Sequence, residues 1–490
     1  MITSFETVPD KIAFSNGNEH MSFREVKIKC DSIGTYLFLE KIYKEPVLVF
    51  MAKHPRTITT FLGVVRGGNF YVPLDAMMPR IRIEHILESL HAPLMICDEK
   101  TIELAKTLSF KGKIVLYQEI SDTLIDHGAL AKIADQALDT DPIYIVHTSG
   151  STGVPKGVVA CHRSVIDYIE QLSDVLAFNR ETIFGNQTPL YFDACLKEIY
   201  PTLKFGATTY LIPAELFMQP IKLVEFLNDF QINTICWVVS AMTMISAFNT
   251  FDTIIPNTLQ SINFGSEVFP LREFRKWQDA LPEARFVNLY GPTECTGMCC
   301  YHKISEIKND ADVIPIGRPF KNTEIIVLNE QNERAFANEM GEICVRGTSL
   351  TLGYYNDFTK TSESFVQNPL NRHYPELIYR TGDLGYWNEN EELIFNSRKD
   401  HQIKHMGHRV ELGEIEASAH RLKKIKMACC VYDKAKNKIR LFYVGDITGK
   451  EVTEQLKELL PRYMIPNTVK QIEKMPLKAN GKIDRGELEG

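Results

Sequence analysis

Short apolar runs alternate along this chain with stretches of helical period, and this alternation constrains the fold more than any other feature. Four runs are typical of buried strands, at 47–51, 94–97, 114–117 and 143–146. Apolar residues recur at helical spacing within 81–90 and again from Val165 to Leu176. Strands that alternate with helices predict an α/β fold with largely parallel sheets.

Length and charge narrow the classes of protein to which the chain can belong. Its 490 residues are too many for one ordinary core, so we expect two or more domains. With 55 basic and 62 acidic residues the net charge is −7, which argues against a nucleic-acid or membrane-surface binder. No uncharged apolar run approaches the roughly 18 residues that span a bilayer, and the N-terminus lacks the pattern of a secretion signal.

The cysteines predict a reducing compartment. There are 11, scattered through the chain without a C-x-x-C pair. Cys295, Cys299 and Cys300 are the closest group, and no second ligand pair at zinc-finger spacing accompanies them. We therefore expect reduced core or pocket cysteines rather than disulfides or a metal site, and a cytoplasmic protein.

The last part of the chain differs from the rest in amino-acid composition. From about Tyr354 the residues Asn, Asp, Glu and Gly become more frequent, and 386–394 is typical of a hairpin. A compact basic tail then predicts a small α+β unit with helices at 411–422 and 452–460 and strands at 428–432 and 439–444. We predict a domain boundary near Asp400, with domains at 1–399 and 400–490.

A loop at 147–157, His-Thr-Ser-Gly-Ser-Thr-Gly-Val-Pro-Lys-Gly, is the clearest functional signal. It follows a buried strand and holds three glycines, four hydroxyl residues and Lys156. Small residues let backbone N–H groups approach an anion, hydroxyls donate further hydrogen bonds, and the lysine adds charge, as a polyphosphate requires. The spacing is not that of a Walker A loop. The alternative is a mobile surface linker.

The loop is similar to the phosphate loop of the acyl-adenylate-forming superfamily, and further motifs resemble that family in the same order. The family includes acyl-CoA synthetases, luciferases and the adenylation domains of nonribosomal peptide synthetases. The resemblance is closest to stand-alone amino-acid adenylation domains and D-alanine–carrier protein ligases. The matching segments are 22–26, 67–75, 288–294, 341–347, 379–384, 406–416 and 476–485.

The resemblance implies a fold and a reaction. The fold is a large N-terminal domain of stacked α/β subdomains with a small β-rich piece, plus a small mobile α+β C-terminal lid that turns about Asp400. The reaction is ATP- and Mg²⁺-dependent activation of an amino acid to aminoacyl-AMP, then transfer to the phosphopantetheine thiol of a carrier protein. Since no carrier domain follows Gly490, we expect a stand-alone enzyme or an excised domain, with a carrier protein that acts in trans. An acyl- or aryl-CoA synthetase is the nearest alternative.

The resemblance also implies an ATP site. Tyr290 offers adenine a flat face, Glu294 binds Mg²⁺, and Asp383 accepts the ribose hydroxyls together with Arg398. As alternatives, Tyr290 could be a core aromatic and Glu294 a solvated carboxylate. Asp383 could be a turn aspartate and Arg398 a solvent-facing side chain. Next to Arg398, Ser397 stands where the family usually has glycine. The other residues expected to bind the nucleotide are Thr148, Ser149, Gly150, Ser151, Thr152, Gly153, Asn288, Gly291 and Thr293.

Lys482 is the residue expected to catalyse adenylation, together with Lys156 and Glu294. By resemblance it bridges the substrate carboxylate and the α-phosphate, so that two anions can meet in line. Without the resemblance, a lysine in the polar turn 479–482 would be a surface residue. Gly407, on the opposite face of the lid, is expected to line the thiol tunnel of the second step.

Asp193 predicts an amino-acid substrate, because its charge would pair with an α-ammonium that acyl-CoA substrates lack. A helix N-cap is the alternative. The expected side-chain pocket consists of Ala194, Lys197, Cys236, Ile262, Phe264, Leu289, Gly297 and Met298. Lys197 could bind an acidic side chain, pair with Asp193 or Glu198, or extend to solvent. Phe264 is expected to narrow the pocket for a small or medium amino acid.

Overall fold

The structure is a computed structural model that describes residues 3–150, 155–305, 313–433, 436–476 and 483–489. The predicted site residues Ser151, Thr152, Gly153 and Lys482 lie outside these ranges.

The strands, in chain order, are β1 (Ile12–Ser15), β2 (His20–Ser22), β3 (Pro46–Phe50), β4 (Phe70–Pro73), β5 (Leu94–Cys97), β6 (Lys113–Leu116), β7 (Pro142–Thr148), β8 (Lys156–Cys161), β9 (Ile183–Asn186), β10 (Thr208–Leu211), β11 (Thr234–Val238), β12 (Ser261–Gly265), β13 (Arg285–Tyr290), β14 (Cys300–Ile304), β15 (Arg318–Pro319), β16 (Thr323–Leu328), β17 (Gly341–Gly347), β18 (Phe365–Gln367), β19 (Leu377–Trp387), β20 (Leu393–Arg398), β21 (Gln402–His405), β22 (His408–Glu411), β23 (Ile425–Asp433), β24 (Lys438–Gly445) and β25 (Thr468–Gln471).

The α-helices are α1 (Thr3–Thr7), α2 (Phe23–Leu39), α3 (Pro55–Arg66), α4 (Arg80–Leu90), α5 (Ile102–Lys106), α6 (Tyr117–Ile120), α7 (His127–Gln136), α8 (His162–Leu176), α9 (Leu196–Phe205), α10 (Pro220–Asp229), α11 (Val239–Ala247), α12 (Leu271–Ala280), α13 (Phe358–Ser364), α14 (Leu412–His420), α15 (Gly449–Lys457) and α16 (Arg485–Glu489).

Two large sheets form the body of the molecule. Within the described residues one has the order β15-β14-β13-β12-β11-β9-β10-β1-β2 and the other β6-β5-β3-β4-β7-β8. Neighbouring strands are parallel from β13 to β1 in the first sheet and from β6 to β7 in the second. Their strands are buried on both faces because helices cover both sides, which explains the continuous apolar runs in the sequence.

A smaller antiparallel sheet, β16-β17-β19-β18 with β20 beside β19, is the expected β-rich piece. After β20 the chain enters the unit that we call the small domain, formed by β21 to β25 and α14 to α16. Its β23-β24-β25 sheet has an apolar core of its own, to which α14 and α15 contribute Ile415 and Val452. The large domain with a small α+β domain after it confirms the predicted fold class.

Most predicted elements occur with shifted ends. The helix predicted at 81–90 is α4, and the apolar face predicted from Val165 to Leu176 belongs to α8. The strand predicted at 114–117 ends at Leu116, because Tyr117 begins a short helix. All 11 cysteines are buried and free, as expected. In the part of the chain that the structure describes, no helix has the length and apolarity to cross a bilayer.

Candidate active site

The glycine loop connects two paired strands. Thr148 at the end of β7 lies opposite Lys156 at the start of β8, so the loop is the tip of an antiparallel hairpin. Ser149 donates its hydroxyl hydrogen bond to the Arg409 carbonyl at 2.9 Å. The Gly150 N–H faces the Glu414 carboxylate and acts to lower the pKa of that group. The beginning of the loop therefore binds groups of the small domain, one of them an anion.

Glu294 is the electrostatic centre of the site. Its side chain is 0% exposed, and its carboxylate lies 2.8 Å from Arg409 Nη1 and 3.5 Å from Lys156 Nζ. The Tyr354 hydroxyl donates to it at 2.8 Å. Burial alone would raise the pKa of Glu294, but the two cations outweigh burial and hold its pKa well below the usual range. Glu294 is therefore ionised.

Lys156 is the counterpart of Glu294 on the loop hairpin. Its ammonium donates to the Tyr354 hydroxyl at 3.3 Å and lies 4.8 Å from the centre of that ring. Burial, with the Arg409 charge, lowers the pKa of Lys156 to about 8. The lysine is thus held charged next to the loop at neutral pH, where an anionic ligand would raise its pKa again.

Tyr290, Asp383 and Arg398 form a second polar group beside Glu294. The Tyr290 hydroxyl donates to Asp383 Oδ2 at 2.5 Å, and Arg398 pairs with the other oxygen of Asp383. Arg398 also binds Asp400 bidentately, at 2.7 and 2.8 Å. β20 continues through Ser397, so Arg398 lies opposite Asp383 in register despite the departure from the family glycine.

The segment at the end of β13, from Asn288 to Thr293, is closely packed. Asn288 donates its side-chain amide to the Pro315 carbonyl at 2.8 Å. A Cβ on Gly291 would lie 2.5 Å from the Gly297 carbonyl, so only glycine fits there. A short 3₁₀ helix, Thr293–Cys295, then presents Thr293 and Glu294 to the site.

The β21–β22 hairpin of the small domain reaches this site. Gly407, at its tip, has φ +76° and donates its N–H to Glu267 at 2.9 Å. A Cβ on Gly407 would lie 2.7 Å from Val238. Lys404 places its ammonium 5.2 Å from the Tyr290 ring centre. The hairpin therefore contacts the end of β11 and one face of the tyrosine that is predicted to stack on adenine.

Asp193 lies at the start of a short 3₁₀ helix, Asp193–Cys195, which leads directly into α9. The Thr293 hydroxyl and the Ala194 N–H lie near its carboxylate and act to lower its pKa. Burial raises the pKa of Asp193, and the Lys197 charge and Thr293 oppose this rise. Asp193 is thus connected through Thr293 to the turn that carries Glu294.

The structure divides the expected side-chain pocket between two faces of the nine-stranded sheet. Cys236, Leu289 and Met298 belong to the core that contains α8 and α9, the same side as Lys197. Ile262 and Phe264 belong to the other core, where Phe264 packs on Phe269 and Phe274. Neighbouring parallel residues share a face, and Cys236 pairs with Asn263 rather than with Ile262 or Phe264.

Gly297 and Ala194 lie on the Asp193 side of the sheet. A Cβ on Gly297 would lie 3.0 Å from the Tyr168 ring, so glycine lets this ring approach Asp193. The structure therefore does not bring Ile262 and Phe264 together with the other six predicted pocket residues, and Phe264 does not narrow the space next to Asp193.

Four residues at the site were missed by sequence reasoning: Arg409, Tyr354, Lys404 and Tyr168. Arg409 and Lys404 flank Gly407 within or beside the predicted 406–416 segment, and their charge was a usable signal. Tyr354 and Tyr168 had no such signal, because a tyrosine in an apolar context is most often a core residue.

Comparison with known proteins decides the family. The family profile described as "AMP-binding enzyme" matches residues 3–355. This chain belongs to that family. The matched region of the AMP-binding enzyme contains the glycine loop, Asp193, Tyr290 and Glu294.

The curated relatives differ in the share of their length that this chain covers. Surfactin synthase subunit 1 of Bacillus subtilis (strain 168) is 30% identical over 98% of this chain, which spans 13% of that protein. The chain likewise spans less than half of the tyrocidine and gramicidin S synthases that it matches. The D-alanine–D-alanyl carrier protein ligase of Bacillus cereus (strain AH187) is 28% identical, with 98% of this chain and 96% of that protein aligned.

A solved structure shares the fold of this AMP-binding enzyme. The adenylation domain AlmE of Vibrio cholerae, solved in complex with glycyl-adenosine-5′-phosphate, superposes with a TM-score of 0.86 and 23% identity. The alignment covers 100% of this chain and 96% of that one, so both domains are included.

Proposed function

We propose that this enzyme uses ATP to activate an amino acid as aminoacyl-AMP, with release of pyrophosphate, and then transfers the aminoacyl group to the phosphopantetheine thiol of a carrier protein acting in trans. One observation carries the proposal. Asp193, suited to an α-ammonium, lies close enough to Thr293 and Glu294 for both to act on its pKa. The group that would select an amino acid is therefore adjacent to the group that would hold the nucleotide's metal.

The residues around Glu294 fit a Mg²⁺ ion. Glu294 is buried and ionised and offers oxygen, the donor that Mg²⁺ prefers. No group of three or more metal-ligating side chains occurs among the described residues, so the triphosphate would supply the other ligands. When bound, Mg²⁺ neutralises phosphate charge. Lys156 and the loop hydroxyls orient the β- and γ-phosphates, and we propose that Lys482 neutralises the carboxylate and α-phosphate.

The position of the small domain supports a two-step cycle about a hinge near Asp400. In the described arrangement, Arg409 binds Glu294, and the Glu414 carboxylate faces the Gly150 N–H that a phosphate would need. These contacts suit the second step, after pyrophosphate has left. Gly407 then borders the proposed thiol path at Val238. Met475 and Ile483, which flank the Lys482 segment, pack on the opposite face of the small-domain sheet. We therefore propose that the domain turns to bring Lys482 to the site for the first step.

ATP–pyrophosphate exchange across the twenty amino acids tests the proposal. We expect amino-acid-dependent exchange that falls at least ~100-fold in Asp193→Asn, because the buried ammonium loses its counter-charge. Lys482→Ala should also lose exchange. The control Asp174→Asn changes an exposed aspartate on α8 and should behave as wild type. Exchange only with acids that lack an ammonium group would instead identify a CoA synthetase.

A further inference from the structure

Glu267 is a half-buried carboxylate between the two domains, and the proposed function does not use it. It follows β12 after Ser266, whose φ of +69° lies in the left-handed region where residues other than glycine are uncommon. Its two oxygens accept from two backbone N–H groups. Oε2 accepts from Ser240 at 2.7 Å, and Oε1 accepts from Gly407 at 2.9 Å. One carboxylate therefore joins a helix of the large domain to a hairpin of the small domain.

The large-domain donor lies at the start of α11. Ser240 is the second residue of this helix, where backbone N–H groups have no partner within the helix. Val238, the residue before the helix, has no side-chain acceptor with which to cap it. The Glu267 carboxylate fills this role, and its negative charge is favourable at a helix N-terminus. One oxygen of Glu267 thus has its donor in the large domain alone.

The small-domain donor lies in the turn of the β21–β22 hairpin. His405 and His408 form the last pair of the ladder, so Met406 and Gly407 make a two-residue turn. Both turn residues have positive φ, +52° and +76°, as a type I′ turn requires. The Gly407 N–H lies outside the ladder and needs an acceptor from elsewhere. Glu267 supplies that acceptor only while the hairpin lies against the large domain.

The Glu267 charge also reaches other groups of the small domain. Burial lowers the pKa of Lys404 and of His405, both on β21, and the Glu267 charge opposes this lowering. Burial raises the pKa of Tyr432 on β23, and the Glu267 charge adds to the rise. The carboxylate therefore faces two strands of the small domain as well as α11, which a helix cap alone would not require.

The two hydrogen bonds of Glu267 fix the separation of Val238 and Gly407, which border the proposed thiol path. A Cβ on Gly407 would lie 2.7 Å from Val238, so the two residues are already in close contact. In the transfer step the thiol sulfur bonds to the acyl carbon and the acyl–phosphate bond breaks. AMP leaves with the electron pair, and the thiol proton passes to water. A displacement of about 1 Å in the wall of the path would misplace the attacking sulfur and slow this step strongly.

We propose that Glu267 is a positioning residue for aminoacyl transfer, which holds the hairpin turn against α11 through its two backbone hydrogen bonds while the thiol attacks the adenylate. This inference rests on the proposed function and deepens its second step. Adenylation uses the other orientation of the small domain, in which the bond to Gly407 is absent. Glu267 should therefore matter much less to adenylation than to transfer.

Glu267→Gln tests this role, because an amide offers one oxygen to two N–H donors. Adenylation is measured by pyrophosphate exchange with the amino acid that the wild type prefers, which also shows that the variant is folded. Transfer is measured in a single turnover, with preformed aminoacyl-AMP and free phosphopantetheine as the acceptor thiol. We expect the transfer rate to fall at least ~10-fold and exchange to fall less than ~3-fold. Asp126→Asn makes the same change in the carboxylate that caps α7 and should keep the wild-type transfer rate.

The double variant Glu267→Gln with Gly407→Ala distinguishes this contact from a general loss of stability. Residues that act through one contact have effects that do not add. We therefore expect the double variant to transfer within ~3-fold of the slower single variant, rather than at the product of the two losses.

The outcomes separate the positioning role from the proposed function. A transfer rate that falls no further than exchange in Glu267→Gln, or losses that multiply in the double variant, would overturn the positioning role and leave adenylation standing. If the wild type exchanges pyrophosphate but forms no thioester, the transfer step is wrong, and the role of Glu267 with it. If no amino acid supports exchange, the proposed function itself fails.

Discussion

At the scale of single residues, the site is organised by buried charges that compensate one another. Glu294 has two cations and a phenol around one carboxylate. Asp383 is shared by a tyrosine and an arginine. Removing one member of such a group costs more than the pair contributes, since its partner remains buried and unpaired.

Glu294→Gln tests this compensation. The substitution leaves Arg409 and Lys156 without their counter-charge, so we expect the free energy of unfolding to fall by about 3–5 kcal/mol in denaturant titration. Glu454→Gln is the control, because its pair with Lys457 is exposed and should contribute less than about 0.5 kcal/mol. Equal effects in the two variants would contradict the compensation.

His147 predicts a specific pH dependence. Burial, with the Arg82 charge, lowers the pKa of His147 to about 3 from its ordinary 6.5. Between these values the unfolded chain binds the proton and the folded chain does not, so stability rises with pH across this window and is lost on acidification. His147→Gln should reduce the slope of unfolding free energy between pH 4 and 6 by up to ~1.4 kcal/mol per pH unit. An unchanged slope would show that His147 protonates equally in both states.

At the scale of elements, the two-residue period of a β-strand determines which of the predicted pocket residues share one face of the sheet. Side chains alternate between the two faces along a strand, so a pocket position assigned one residue away from the correct one lies in the other core. Cys236 and Trp237 are consecutive on β11 and belong to different cores. Ile262 and Phe264 lie in the same core as Trp237, whereas Leu289 and Met298 lie in the same core as Cys236.

The β21–β22 hairpin supplies a prediction about the second step. Gly407→Ala adds a Cβ at positive φ that would lie 2.7 Å from Val238, so the hairpin should withdraw from β11. We expect the rate of aminoacyl transfer to a carrier protein to fall at least ~10-fold, and by a larger factor than pyrophosphate exchange. Gly407→Ala with Val238→Ala should recover part of the transfer rate. A transfer rate unaffected by Gly407→Ala would exclude this contact from the second step.

At the scale of the whole molecule, a few buried contacts hold the small domain against the large one. Arg82 of α4 pairs with Glu414 of α14, and both side chains are almost fully buried. Within the small domain His408 stacks on Tyr463 at 3.7 Å, and across the boundary it meets the edge of the Phe192 ring at 5.0 Å. Burial raises the pKa of Glu414 even though Arg82 opposes this. The pair therefore specifies an orientation more than it adds stability.

Glu414→Gln should shift the balance between domain orientations. Arg82 loses its charge partner only in the described arrangement, so that arrangement is destabilised relative to others. We expect slower carrier aminoacylation relative to exchange and faster proteolysis near 399–401. Glu416→Gln is the matched control, because Glu416 is on the same helix but pairs within the small domain, with Arg485. Identical behaviour of the two variants would mean that Glu414 does not bias orientation.

The sequence by itself determined the α/β class, the order of the family motifs and the residue types at the proposed ATP site, because these depend on local periodicity and on residue identity. Tertiary structure decided which side chains come together in space, because local patterns carry no information about distant parts of the chain. Packing of two sheet faces separated Phe264 from Asp193, and the fold brought Arg409, some hundred residues away in the chain, onto Glu294. Lys197 could have bound a substrate, paired with a carboxylate or reached solvent. Its burial beside Asp193 and Glu198 came from the fold, since only the fold sets which side chains surround a charge.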